Sequence, residues 1–237
     1  MQGILLVDKP KEWTSFDVVN YVRRIVATHE GKKPKNTKVG HTGTLDPLAT
    51  GLLVLLIGKE YTRRAGELTK LDKTYEVVMC LGQTSSTGDE EGEKRAVSDT
   101  IPPVEAVLEA LRTFQGPIMQ VPPAFSAMKI DGQRAYKLAR EGKNVELEAR
   151  PVTVHSNELT SYEYPFVRFT SSVGSGTYIR SLVEDLGTAL GAGAYMSDLR
   201  RTRVGQFSLE DAAAVQTLDA EAIAARLIML APPAADS

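Results

Sequence analysis

Asp46 is the one carboxylate in a short, non-repetitive run, Val39-Gly40-His41-Thr42-Gly43-Thr44-Leu45-Asp46-Pro47-Leu48-Ala49-Thr50-Gly51. Its companions are one imidazole, three glycines and a proline. Glycine allows backbone conformations and close approaches that other residues resist. Proline fixes its own φ and pushes the preceding residue, here Asp46, towards extended backbone. The run therefore reads as a shaped loop that presents a single carboxylate. His41, taken alone, reads as a hydrogen-bonding residue of that loop.

Four further stretches carry chemical side chains. They are Asp8-Lys9-Pro10, Lys73-Thr74-Tyr75, Gly176-Thr177-Tyr178-Ile179-Arg180-Ser181-Leu182 and Leu199-Arg200-Arg201-Thr202-Arg203-Val204-Gly205. Singly, each fits a structural role: a tyrosine at a strand start packs, and an arginine cluster faces solvent. Together they supply one lone Asp, two tyrosines, an Arg beside a glycine turn, and basic patches. A lone Asp makes a poor hydrolase and a reasonable covalent nucleophile. A nearby Arg favours its ionised form. Tyrosines offer flat faces on which a base drawn out of its helix can stack.

Other chemistries lack their residues. There is no G-x-x-x-x-G-K-[ST] run for a P-loop. Gly174-Ser175-Gly176 begins like a dinucleotide fingerprint, but Ile179 stands at the third glycine position. His29, His41 and His155 show no metal-ligand spacing. An aspartic-protease reading would need a paired Asp-Thr-Gly, which is absent. The single Cys80 excludes an internal disulfide and any multi-thiolate cluster, which suits a reducing compartment. No apolar run approaches the ~20 residues of a membrane span, and no signal peptide is visible.

The formal net charge is −2, but it is unevenly distributed. Residues 1–75 hold 13 Lys+Arg against 8 Asp+Glu, whereas residues 76–237 hold 15 against 22. Such a split allows a local phosphate-binding face on an acidic protein, although charge runs are most often solvated surface.

The elements that must position these residues follow from hydrophobic pattern. Ile4–Val7 reads as a strand. Thr14 and Ser15 cap a helix whose apolar residues Phe16, Val19, Val22, Ile25 and Val26 recur at helical spacing. Residues 29–38 form a basic loop. A buried strand, Leu52–Ile57, follows the Asp46 loop. Lys73–Leu81 alternates, with Tyr75, Val77, Met79 and Leu81 on one face. Residues 83–95 form a polar loop, and Pro102-Pro103 opens a helix with Val104, Val107, Leu108, Leu111 and Phe114. Residues 120–133 are irregular, with a short helix around Arg134–Arg140. Strands near 151–160 and 166–173 and a helix from Tyr178 to Leu190 complete the reading. The order lacks regular βαβ alternation, which predicts an α/β (α+β) fold with a central, mixed, mostly antiparallel sheet flanked by helices and loops.

The sequence resembles the TruB family of tRNA pseudouridine-55 synthases. The resemblance is carried first by Gly40-His41-Thr42-Gly43-Thr44-Leu45-Asp46-Pro47-Leu48-Ala49-Thr50-Gly51, which looks like the family's catalytic motif. Asp8-Lys9-Pro10 with Thr14-Ser15, Lys73-Thr74-Tyr75, Gln120-Val121-Pro122-Pro123-Ala124-Phe125-Ser126-Ala127-Met128-Lys129, Gly176–Arg180 and Leu199–Arg203 match in family order. The matches span roughly residues 3–207. The resemblance implies the pseudouridine-synthase fold, and isomerisation of uridine to pseudouridine in the T-loop of tRNA. It implies no cofactor and no metal, no membrane, a monomer, and a cytoplasmic setting.

The resemblance also assigns roles. Asp46 is the nucleophile, attacking either C6 of the base or C1′ of the ribose. Tyr75 stacks on the flipped uracil. Tyr178 lies on its other side and is a candidate for removing the C5 proton. Arg180 pairs with Asp46, Leu199 lines the pocket, and His41 holds the flipped nucleotide out. Lys9 and the arginines at 200, 201 and 203 contact or support the RNA side. Two other readings keep the same fold: a non-catalytic tRNA-binding or tRNA-folding module, and a guide-dependent RNA pseudouridine synthase.

The chain departs from the family pattern in three places. Glu12 sits where the first motif commonly has Gly. The basic loop at 29–38 is longer than usual, and its Lys32, Lys33, Lys35 and Lys38 are expected to touch RNA. Residues 1–210 are expected to form the catalytic domain. Residues 211–237 are expected to form a short acidic tail with one helix, too short for the family's C-terminal RNA-binding module of the PUA type.

Overall fold

The computed structural model describes residues 1–126, 128–130, 133–134, 138 and 147–230. The helix expected around Arg134–Arg140 lies mostly outside the described residues. The chain divides into two compact units, Met1–Lys73 with Arg200–Ser237, and Thr74–Leu199.

In the first unit β1 (Gly3–Lys9) pairs antiparallel with β3 (Thr50–Ile57), in a register that sets Leu5 opposite Leu55 and Val7 opposite Leu53. Both strands are apolar at nearly every position because both faces are covered. Leu5, Val7, Leu53, Leu55 and Ile57 pack with Val18, Val19, Val22 and Val26 of α1 (Ser15–His29). Ile4, Leu6, Leu52, Val54 and Leu56 pack on the other face with Tyr61 and Leu68. Those two belong to the short helices α2 (Lys59–Arg63) and α3 (Ala65–Thr69). The period-two alternation of a strand thus feeds two separate apolar clusters.

Helix α1 starts at a complete capping box: the Thr14 hydroxyl accepts from the Asp17 N–H, and the Asp17 carboxylate accepts from the Thr14 N–H. Its buried face is Val18, Val19, Val22 and Val26; Phe16, grouped with the apolar face on spacing, is 60% exposed. Residue 16 lies about 100° around the helix from the buried Ser15, whose side Val18, Val19, Val22 and Val26 share, so it falls on the outer flank.

β2 (Val39–His41) adds to β3 antiparallel. The C-terminal half of β12 (Ala194–Val204) adds to it in parallel through Arg200 and Arg201. The segment after residue 210 supplies a short strand parallel to β1, with Val7 opposite Ala213, and a helix, Ala220–Arg226. It packs into this unit through Ala213, Val215, Leu218 and Ile223.

The second unit is built on strands in the neighbour order β12-β4-β11-β10-β7, with β4 Lys73–Leu81, β7 Gly116–Gln120, β10 Arg150–Glu163 and β11 Phe166–Val173. The β10–β11 and β10–β7 pairs are antiparallel. The expected mixed, mostly antiparallel architecture is present. The polar stretch at 83–95 closes into a small hairpin, β5 (Gln83–Ser85) against β6 (Lys94–Ala96). Helix α4 (Val104–Thr113) begins after Pro103, and α5 (Ile179–Ala189) begins after Tyr178.

Two backbone positions constrain the fold around the Asp46 loop. Gly51 has φ 98°, and a Cβ there would lie 2.3 Å from the Arg201 carbonyl oxygen. Glu12 has φ 70°, the left-handed region in which the family's usual glycine has no penalty. We predict that Gly51→Ala lowers unfolding free energy by about 2 kcal/mol or more, since it meets both left-handed strain and a backbone clash. Chemical denaturation of the variant beside the parent chain measures this.

Candidate functional site

The Asp46 loop bridges two paired strands, β2 and β3, and is braced from three sides. Its own turn is closed by the Ala49 N–H donating to the Asp46 carbonyl at 3.1 Å. From the start of α1, the Ser15 hydroxyl donates to the Leu45 carbonyl at 2.9 Å and accepts from the Leu45 N–H at 2.8 Å. Ser15 is buried, so this reciprocal pair satisfies the residue before Asp46 without water. From the end of β1, the Lys9 ammonium donates to the carbonyls of Pro10, Trp13 and Pro47. The Glu12 N–H also donates to the Pro47 carbonyl, at 2.9 Å. From β12, Arg201 donates to the carbonyls of Leu52 at 2.8 Å, Gly43 at 3.0 Å and Thr44 at 3.5 Å.

Lys9 and Arg201 were expected among the residues that contact or support RNA. Lys9 is 0% and Arg201 2% exposed. Both heads are taken up by backbone oxygens, so they support the loop and present nothing to a ligand. Their place in basic motifs gives no hint of this, because a long cationic side chain can bury its stem and still satisfy its head internally. Arg200 is half-buried and pairs with Asp8 at 2.8 Å; Arg203 is exposed.

The electrostatics follow from this packing. Burial lowers the Lys9 ammonium to about 8, against an opposing pull from the Asp46 charge; Arg201 lowers it further. Burial, then Arg201, lowers Lys73 to about 8 as well. His41 is also pushed down, chiefly by burial and then by Arg201, so its imidazole is neutral at neutral pH. Its Nδ1 is buried without a hydrogen-bond partner among the described residues. Asp46 itself is half-buried on the loop, near enough to Lys9 for its charge to oppose the lowering of that ammonium.

The second unit holds the remaining predicted residues. Tyr75 on β4 is 7% and Leu199 on β12 8% exposed, on neighbouring strands. Tyr178 and Arg180 sit together at the start of α5. The Tyr178 backbone is held by both ends of one amide: its N–H donates to Gln120 Oε1 at 2.8 Å and its carbonyl accepts from Gln120 Nε2 at 3.1 Å. The Arg180 guanidinium is 6% exposed. It lies 3.5 Å from the Asp89 carboxylate and donates to the Thr87 and Phe125 carbonyls. Asp89 also accepts from the Thr87 hydroxyl and the Glu91 N–H.

Asp89 and Gln120 are residues that sequence reading missed. Asp89 lay in an acidic run that reads as solvated charge, and nothing local marks it as 4% exposed. Gln120 was quoted within a motif, and its burial at 2% is the sign of a polar residue with a structural task.

Comparison with known proteins follows the same residues. Residues 31–179 match the family model described as TruB family pseudouridylate synthase, N-terminal domain. Residues 180–227 match the tRNA pseudouridylate synthase B C-terminal domain. The tRNA pseudouridine synthase B of Chlamydia pneumoniae is 44% identical over 210 residues, covering 89% of this chain and 86% of its own. That of Thermobifida fusca is 47% identical over 229 residues, covering 92% and 75%. Among solved structures, a Cbf5-Nop10-Gar1 complex superposes with a TM-score of 0.69 at 31% identity, over 91% of this chain and 53% of that one. An H/ACA RNP bound to a substrate RNA containing 2′-deoxyuridine gives 0.65 at 29%, over 91% and 52%. The chain spans about half the length of these structural neighbours.

Two outcomes are expected from this geometry. Arg201→Met leaves the loop carbonyls without their donor, and each buried unsatisfied group costs ~1–3 kcal/mol; urea unfolding should show a loss of about 3 kcal/mol. Stability should also rise with pH from about 8 upward. Folded Lys9 and Lys73, at about 8, lose protons that the unfolded chain keeps until its ordinary 10.5. Denaturation midpoints between pH 7 and 10 measure the rise, and Lys73→Met should flatten it.

Proposed function

The chain belongs to the TruB family of pseudouridylate synthases, and we propose on that premise that Asp46 is the nucleophile that isomerises uridine to pseudouridine in the T-loop of tRNA. The protein is an RNA-modifying isomerase of the tRNA pseudouridine synthase class. The observation that carries the assignment of Asp46 is the bracing of its loop. Ser15, Lys9 and Arg201 hold the backbone on either side of it, and none of them takes the place of a reacting group. A nucleophile held this way loses little entropy on reaching its target atom.

In the reaction, the Asp46 carboxylate forms a covalent adduct with the nucleotide and the N1–C1′ glycosidic bond breaks. The uracil turns, C5 bonds to C1′, the bond to Asp46 breaks so that its carboxylate is free again, and the proton lost from C5 is matched by one taken up at N1. Attack at C6 and attack at C1′ both fit this scheme. The other roles are those the motifs imply. Tyr75 stacks on the uracil, Tyr178 is the candidate for assisting C5 proton removal, Arg180 supplies positive charge and Leu199 an apolar wall. Stacking on an aromatic returns ~1–3 kcal/mol per base, which offsets much of the few kcal/mol that flipping costs. His41, half-buried on the loop, is the residue to which the motif gives the task of holding the displaced nucleotide out.

Identity favours tRNA over a guide-presented RNA: it is 44–47% to tRNA synthases against 31% to the Cbf5 complex. One chain supplies every motif, which supports action as a monomer. Among the described residues no helix is long and apolar enough to cross a membrane, and a tRNA substrate supports a cytoplasmic setting.

The test is tritium release from tRNA carrying C5-tritiated uridine. The parent chain should release the label, and Asp46→Asn should release none above background. Full release by the Asn variant overturns the nucleophile. Binding without release by the parent chain supports the tRNA-folding reading instead.

A further inference from the structure

The first unit carries a second feature that the Asp46 chemistry does not use. Between α1 and a 3-10 turn at Pro34–Asn36 lies a cavity of about 580 Å³. Arg23, Arg24, Lys35 and Lys38 line it together with Asn20 and Thr37, and no acidic residue does. Four cations facing one space repel each other, and an anion would relieve that repulsion.

Lys32, in the same loop, is paired with Glu30 at 2.8 Å. Arg24, Lys35 and Lys38 have no acidic side chain within salt-bridge distance among the described residues, and all three are exposed. Arg23 is fixed as a wall. Its guanidinium donates to the Val39 carbonyl at 3.1 Å and to Asn20 Oδ1, and lies 5.8 Å from the centre of the Phe16 ring. Phe16, Asn20, Arg23 and Arg24 follow one another at i, i+4, i+7 and i+8, so they share one stripe of α1. That stripe places an exposed flat ring beside an unneutralised cationic pocket, the pairing of features that single-stranded and looped RNA engages.

We propose that this cavity is a second RNA contact, in which Arg24, Lys35 and Lys38 take a backbone phosphate of the substrate outside the reacting nucleotide. The inference rests on RNA being the substrate. The α1 stripe is coupled to the catalytic loop by a short rigid path. Ser15 begins the helix and holds Leu45, so a phosphate on the helix flank is at a set distance from Asp46. The basic loop is therefore more than an exposed charge run. Its 3-10 turn, with Thr37 buried, brings Lys35 and Lys38 to the arginines of α1 and leaves Lys32 outside.

The test is tRNA affinity of the folded full chain measured across a salt series. The triple variant Arg24→Ala/Lys35→Ala/Lys38→Ala should bind tRNA ~10- to 100-fold more weakly at low salt, and the slope of log affinity against log salt should fall by about 2. A control variant, Lys59→Ala/Lys70→Ala/Arg63→Ala, removes the same charge from exposed positions outside the cavity and should leave the slope near that of the parent. Inorganic phosphate at equal ionic strength to chloride should compete no better than chloride, as expected of a site for a polymer's phosphate rather than a free anion. Unchanged affinity and slope in the first variant, an equal fall in the control, or strong competition by phosphate would each overturn the proposal. Pseudouridine formation by the parent chain is scored separately. Its absence, with the binding contrast intact, would defeat the proposed reaction and leave the phosphate contact standing.

Discussion

The guanidinium of Arg201 is buried, and backbone oxygens at Gly43, Thr44 and Leu52 take its donors. A buried cation without such partners would be strongly disfavoured. Carbonyls carry only partial charge, so the positive field of Arg201 is left largely uncancelled. Lys9, Lys73 and His41 are lowered first by burial, and the Arg201 charge adds to the lowering of each. The same side chain therefore does two things. It fixes the backbone before Asp46, and its charge bears on the neighbouring Lys9, Lys73 and His41. The close approach of Gly51 to the Arg201 backbone adds a third constraint, because it sets how near β12 can lie to β3.

Helix α1 serves two ends from one element. Its buried valines seat it on β1 and β3 through one of the two apolar clusters. Its first residue, Ser15, reaches the loop, and its outer stripe faces the basic cavity. The two-sided sheet makes this possible. With Leu52, Val54 and Leu56 covered by α2 and α3, the opposite face is free to seat α1 rigidly. Rigidity here follows from packing on a strand pair buried on both faces, and such elements open last in native-state fluctuations.

How much of this was readable in the residues depends on what each reading required. The Asp46 loop was legible because proline, glycines and one carboxylate at fixed spacing are local facts. The strands β1, β3 and β4 were legible because their alternation or continuous apolarity is local too. Phe16 was misplaced because its i, i+3 spacing from Val19 suggests a shared face, whereas it lies on the outer stripe with Asn20, Arg23 and Arg24. Lys9 and Arg201 were read as contacting or supporting the RNA side, a reading that leaves their burial open, because a basic motif reports charge and is silent about burial. Asp89 and Gln120 were missed for a related reason. Their partners, Arg180 and the Tyr178 backbone, are 91 and 58 residues away in the chain, and no single-sequence pattern encodes such pairs. Glu12 is the reverse case. A residue that departs from the family pattern marked a position that proved to have φ 70°.

The same distinction changes what the charge split means. Residues 1–75 have a surplus of five cations, which suggests a broad phosphate-binding face. Within the same residues Lys9 and Lys73 are buried and occupied by carbonyls, Lys32 is paired with Glu30, and Arg64 with Glu67. Cations engaged in this way release no counterions when RNA arrives, so they add nothing to salt-dependent affinity. The steep part of any such dependence must come from exposed, unneutralised cations. Near α1 these are Arg24, Lys35 and Lys38, drawn together by a 3-10 turn. Net charge by sequence thus overstates how many cations are free to meet a phosphate and understates how closely those few are drawn together. The cations that order the Asp46 loop and the cations available to meet a phosphate are separate sets, drawn from the same basic half of the chain.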